Sequence, residues 1–194
     1  MATAPSVVSI WNRALQLLGA QRVQSTSDTT KNAIACNACY EQTRDAMYEE
    51  YPFRFTLKQA TLAADSPAPT WGRANSFTVP TDFICLYPDY EEDNALTKDW
   101  DVEDGKIFTD DDAPLYVRYV SQVEDPNKMT PTFREALAHR MALAMCEELT
   151  QSNTKKTTLI AETDRTMKLA KRANSRNVRA QTPPESPYIT ARRS

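Results

Sequence analysis

The sequence predicts an α+β protein. Its core is four-helix bundle-like, built from two N-terminal and two C-terminal helices, with a β-rich insertion between the pairs and an extended C-terminal tail. Three observations predict this. Ala33, Cys36, Tyr40, Thr43, Met47 and Glu50/Tyr51 recur at three- and four-residue spacing, which aligns them on one face of a helix. After Tyr51-Pro52 the period becomes two, with Phe53, Phe55 and Leu57 on one face of a strand. Thr130-Pro131 then restores helical patterning, with Phe133, Leu137, Met141, Met145 and Leu149 along one side. The expected domains are residues 1–52 with 130–176, the insertion 53–129, and the tail 177–194.

Element by element, the first helix is expected from about Pro5 to Leu18. Val7, Trp11, Leu15 and Leu18 share a stripe, and Gly19 is placed to end the helix. Ser25-Thr26-Ser27-Asp28 offers N-caps for the second helix. Pro52 lacks a backbone donor and disfavours helix at Tyr51, so the second helix stops there and a strand is expected to follow without a loop. Phe77-Thr78-Val79 and Phe83 to Tyr87 read as further strands. Trp100–Glu103 and Lys106–Thr109 flank Asp104-Gly105, a hairpin turn signal. Leu115 to Val120 alternates again. Ser152-Asn153 caps a fourth helix that runs to about Ser175, with a thin stripe of Ile160, Thr163, Met167 and Ala170 that leaves much of it facing water or another subunit.

Several function classes lack the residues they need. The three glycines (Gly19, Gly72, Gly105) cannot write a phosphate-binding loop or a dinucleotide fingerprint. One histidine, His139, leaves no three-histidine zinc site and no H-E-x-x-H, and it reads as a helix-surface or packed residue. No nucleophile elbow is present. The acidic middle offers many carboxylates for glycoside hydrolysis, but nothing singles out two. Cys36 and Cys39 form a C-x-x-C without a second pair, so all four cysteines read as small buried residues in a reducing compartment. No enzyme activity, cofactor or metal is expected. No apolar run suits a membrane span and no signal-peptide pattern opens the chain, so synthesis in the cytoplasm is expected.

Charge is segregated. From Asp89 to Asp112 eleven acids stand against Lys98 and Lys106, a net of −9, whereas from Lys155 to Ser194 ten bases stand against three acids, a net of +7. The readings are solvated surface, complementary partner surfaces, or a basic tail touching nucleic acid. The tail has Pro183, Pro184 and Pro187, no glycine and few apolar groups, so alone it cannot build a core. Ordering it costs about 1–2 kcal/mol per residue, which needs on the order of 1,000 Å2 of buried apolar surface to offset. A partner in an assembly is the expected source of that surface, and a Pro-rich extended segment suits protein binding.

With these blocks in order, the chain resembles the phage head-to-tail adaptor (connector) family of the tail tubular protein A type. The resemblance rests on Ala14-Leu15 with Leu18-Gly19, then Cys36-Asn37-Ala38-Cys39-Tyr40 with Arg44-Asp45. It continues through Tyr51-Pro52-Phe53-Arg54-Phe55 with Ala60-Thr61-Leu62, and Phe77-Thr78-Val79-Pro80-Thr81-Asp82. The last block is Arg118-Tyr119-Val120 with Val123-Glu124-Asp125, leading to Phe133 and Ala136 to Ala142. Phe53 stands where the family often has Trp. The resemblance implies a closed ring, typically a dodecamer, at the head–tail junction of the virion. Its partners would be further copies of itself, the portal protein and a tail tube or nozzle protein, with genomic DNA passing through without specific binding. It implies portal docking by the tail, for which Arg179, Tyr188, Ile189, Arg192 and Arg193 are the candidates. Asp89, Glu91, Glu92, Asp110, Asp111 and Asp112 are the candidates for a tail-side or lumen surface. The alternative is a nucleic-acid-binding protein that uses the basic C-terminal segment.

Overall fold

The computed structural model describes residues 4–87 and 99–176. The fold is mixed α+β, with four helices and two small antiparallel sheets among the described residues. Helix α1 (Val7–Leu18) begins later than Pro5 would place it, because Ser6 and Ser9 exchange hydrogen bonds in a capping box. Gly19 closes it in the left-handed region at φ 69°. Helix α2 (Lys31–Glu50) is capped by Thr30, not by the serine cluster. Asp28 is used otherwise, accepting the N–H groups of Gln24 and Ser25 to close the connecting loop.

Helix α3 (Pro131–Thr150) opens with Thr130 as N-cap and Pro131 in the first turn, as its sequence requires. Burial extends round it beyond the expected stripe, to Ala136, Ala138, His139, Ala142 and Cys146. The reason is that α1, α2 and α4 (Asn153–Ser175) all pack on α3, and its alanines let them approach. In α4 the buried residues are Leu159, Met167, Ala170 and Asn174, whereas Ile160 is exposed. The stripe is therefore shifted by one residue at its start.

The corner after α2 differs from a direct helix-to-strand junction. Tyr51 ends the helix, and a 3-10 turn over Arg54–Thr56 comes before strand β1 (Leu57–Leu62). Thr56 donates both its N–H and its hydroxyl to the Phe53 carbonyl, at 2.9 and 2.7 Å. The Arg54 N–H donates to Asn174 Oδ1 at 2.8 Å, so the end of α4 satisfies a backbone group that no strand pairs. The turn brings the rings of Phe53 and Phe55 onto Phe133, with centroids at 4.8 and 5.0 Å.

The remaining strands are β2 (Asn75–Thr78), β3 (Phe83–Leu86), β4 (Trp100–Glu103), β5 (Lys106–Thr109) and β6 (Leu115–Ser121). One sheet has the order β1-β6-β3 and the other β2-β5-β4. Asp104 and Gly105, both at positive φ, make the β4–β5 turn. On the first sheet, Val120 and Leu57 face the helices. Its opposite face, with Leu115, Val117 and Tyr119, packs on Phe77 and Ile107 of the second sheet to form a smaller core. The layers run from helices to first sheet to second sheet.

Asn174 is a polar side chain holding the corner from a distant helix. Asn174→Ala leaves the Arg54 N–H without its acceptor and is expected to cost about 1–3 kcal/mol of stability. Leu169→Ala on the exposed side of the same helix should stay within about 0.5 kcal/mol. Urea unfolding midpoints of the two variants check this, and equal midpoints would refute the clamp.

Candidate partner-binding surfaces

The second sheet carries the acidic hairpin. Side chains alternate across it, so Trp100 and Val102 share the face of Phe77 and Ile107, while Asp101 and Glu103 share the outer face with Phe108 and Ser76. The loop after β1 crosses part of that outer face and is fixed there by two charged hubs. Asp65 accepts from Ser76 Oγ, Thr78 Oγ1 and Lys106 Nζ, the last at 3.0 Å. Arg73 lies among Asp99, Asp101 and Asp110, at 4.0, 3.3 and 3.3 Å. Asp110 also accepts the Ala74 N–H at 2.9 Å.

Between this loop and β4 lies a cleft of about 540 Å3, with Trp71, Arg73, Asp101, Glu103, Phe108 and Asp110 among its walls. Trp71 is 87% exposed, the most exposed of the large apolar side chains described. Sequence reasoning missed Trp71, Arg73 and Phe108. The signal that could have found them was a tryptophan set in a Pro- and Ala-rich loop that otherwise has no apolar pattern.

Of the surface candidates, Asp112 is exposed and Asp110 is half-buried at the end of β5. Asp111 is a correction: it is 5% exposed, and its carboxylate accepts from Thr109 Oγ1 while its carbonyl accepts from Asn75 Nδ2. It is built into the sheet because the chain must turn there from β5 towards β6. Asp89, Glu91 and Glu92 lie outside the described residues, as do Arg179, Tyr188, Ile189, Arg192 and Arg193.

The basic surface begins on α4. Arg165, Lys168 and Arg172 are exposed there, as is Arg176 just after its last residue. Three other cations of this helix are tied back to the protein: Lys155 to the Leu18 carbonyl, Lys156 to Glu147, and Lys171 to Glu50.

The other chemistry-bearing groups are packed. Burial pushes the Cys36 thiol up to about 12 and the Cys39 thiol up to about 11, so neither is poised as a thiolate. His139 is 6% exposed and its Nδ1 lies 2.9 Å from the Glu135 carbonyl oxygen. Among the described residues no group of three or more His, Cys, Asp or Glu side chains is arranged to hold a metal ion. No helix there is long and apolar enough to cross a membrane. Compared with known proteins, the chain matches no family model, and no curated protein matches it significantly.

The Asp65 hub predicts an acid-sensitive second sheet. Burial raises the Asp65 carboxyl, but hydrogen bonds from Lys106, Thr78 and Ser76 outweigh it and hold the group below its ordinary value. With the folded-state pKa lower than the unfolded one, the contribution is complete above about pH 4 and is lost as pH falls through the depressed value. Asp65→Asn should therefore flatten part of the stability loss below about pH 4, as read from urea midpoints across pH. An unchanged pH profile would contradict this role.

Proposed function

We propose that this chain is a structural, non-enzymatic head-to-tail adaptor of a tailed bacteriophage. In this reading it closes into a ring between the portal and the tail tube or nozzle and extends the channel through which DNA passes. Residues 1–52 and 130–176 form the four-helix bundle-like core, 53–129 the β-rich insertion, and 177–194 a tail that docks on the portal.

The observation that carries the reading is that opposite charges ride on different layers. The acidic hairpin belongs to the second sheet, and the basic run begins on α4, which packs on α3. A ring that joins two dissimilar partners needs two dissimilar faces. The ordered sequence blocks around Tyr51-Pro52-Phe53 support the same reading. Closure requires heterologous contacts between copies, and α4, with Ile160 and Leu169 exposed, offers a face for them. The pairing of Lys156 with Glu147 and of Lys171 with Glu50 weighs against the nucleic-acid-binding alternative, because those two charges are already answered within the chain.

Deletion of residues 177–194 should abolish binding to the portal in a pull-down while the circular dichroism spectrum and urea midpoint stay unchanged. Undiminished portal binding sinks the docking assignment. In a DNA-binding titration, the adaptor reading predicts no binding at moderate salt. Tight binding that weakens about 1,000-fold or more between 50 and 200 mM salt would favour the nucleic-acid reading instead.

A further inference from the structure

We propose that the outer edge of β4, with the cleft beside it, binds an extended segment of a partner protein in which basic and apolar side chains alternate. That this partner lies on the tail side rests on the function proposed above; the chemistry of the edge does not.

Strand β4 is at the edge of its sheet, pairs only with β5 among the described residues, and is exposed at all four positions. Such an edge is a template for an added strand, in which main-chain hydrogen bonds supply affinity and alternate side chains supply specificity. The two faces of β4 ask for different partners. On one, the apolar row Phe77–Ile107–Val102 runs from fully buried side chains to one 40% exposed, with Trp100 beside it at 37%. An added strand with apolar residues on that face would complete the row.

On the other face, Asp101 and Glu103 border the cleft. Among the described residues, Arg73 and Lys106, the latter opposite Glu103 and held by Asp65, stand against Asp65, Asp99, Asp101, Glu103 and Asp110 around the opening, so acids outnumber bases five to two. The pairing of Arg73 with Asp101 and Asp110 shows that this wall accepts a guanidinium. The exposed indole of Trp71 adds a surface on which a second guanidinium can stack. A second copy of β4 is the wrong occupant, because Asp101 and Glu103 of both strands would bring like charges together. Nucleic acid is disfavoured by the sign of the charge.

The probe is an acetylated, amidated peptide of about four Arg-Val repeats, long enough to span the edge strand. It is compared with a block peptide of the same composition, in which all the arginines precede all the valines. Both are titrated calorimetrically into the full-length chain at about 150 mM salt, where long-range attraction is screened. The alternating peptide should bind at least about tenfold more tightly than the block peptide. The double variant Asp101→Asn, Glu103→Gln should weaken it about tenfold or more. Trp71→Ala, at a side chain too exposed to affect folding, should weaken it severalfold and keeps the test valid if the double variant is unstable. Equal affinity for the two peptides, no binding of the alternating one, or undiminished binding by Trp71→Ala would overturn the proposal. Portal binding is a separate readout. If the peptide test fails while the portal is still bound, only this inference falls; if peptide binding survives and no portal is bound, it is the adaptor reading that is lost.

Discussion

The packing of aromatic rings on Phe133 is the contact on which the rest of the structure depends. Tyr48 from α2 stacks on it at 5.3 Å, and Phe53 and Phe55 from the corner meet it edge-on. Three of these four rings are fully buried, each contributing about 1.5–3 kcal/mol through burial alone. The cluster also fixes the β layers. Tyr48 Oη donates to the Val123 carbonyl at 2.9 Å, and Ser121 Oγ donates to the Thr56 carbonyl at 2.7 Å. The second bond holds the last residue of β6, the central strand of the first sheet, and the first holds the chain just beyond it. Val120, Ile84 and Cys85, which pack into the same helical core, hold the first sheet alongside the cluster.

The elements legible in the sequence were those whose cause is local. Thr130-Pro131 starts a helix, Gly19 ends one, and Asp104-Gly105 turns a hairpin, because each acts within a few residues. The tight turn over Arg54–Thr56 was not legible, since its acceptor for the Arg54 N–H is Asn174, 120 residues away. The Thr30 cap was missed for a different reason. Four neighbouring polar residues could each cap, and only the closed loop around Asp28 decides between them. On α3, a stripe of period four was visible but burial on every side was not, because that depends on three helices converging.

The candidate surface was legible in charge and not in shape. Asp104-Gly105 announced the hairpin and the run of acids its charge, yet pattern alone could not separate Asp111, which is folded into the sheet, from Asp112, which faces water. Arg73 was invisible for a similar reason, since its aspartate partners lie 26 to 37 residues further along the chain. The fold turns a block of like charge into a surface with an edge, a cleft and an aromatic lip. Together with the basic α4, it gives the molecule two unlike sides, the property on which the adaptor reading depends.

Whether this chain is a ring-forming structural protein is decided by its mass in assembly. Native mass measurement with negative-stain imaging of the full-length chain, alone and with portal, reads the copy number without assuming a partner. Closed rings of uniform copy number that stack coaxially on the portal are the expected result. A chain that remains monomeric at every concentration, with portal present as well as absent, would contradict the adaptor reading.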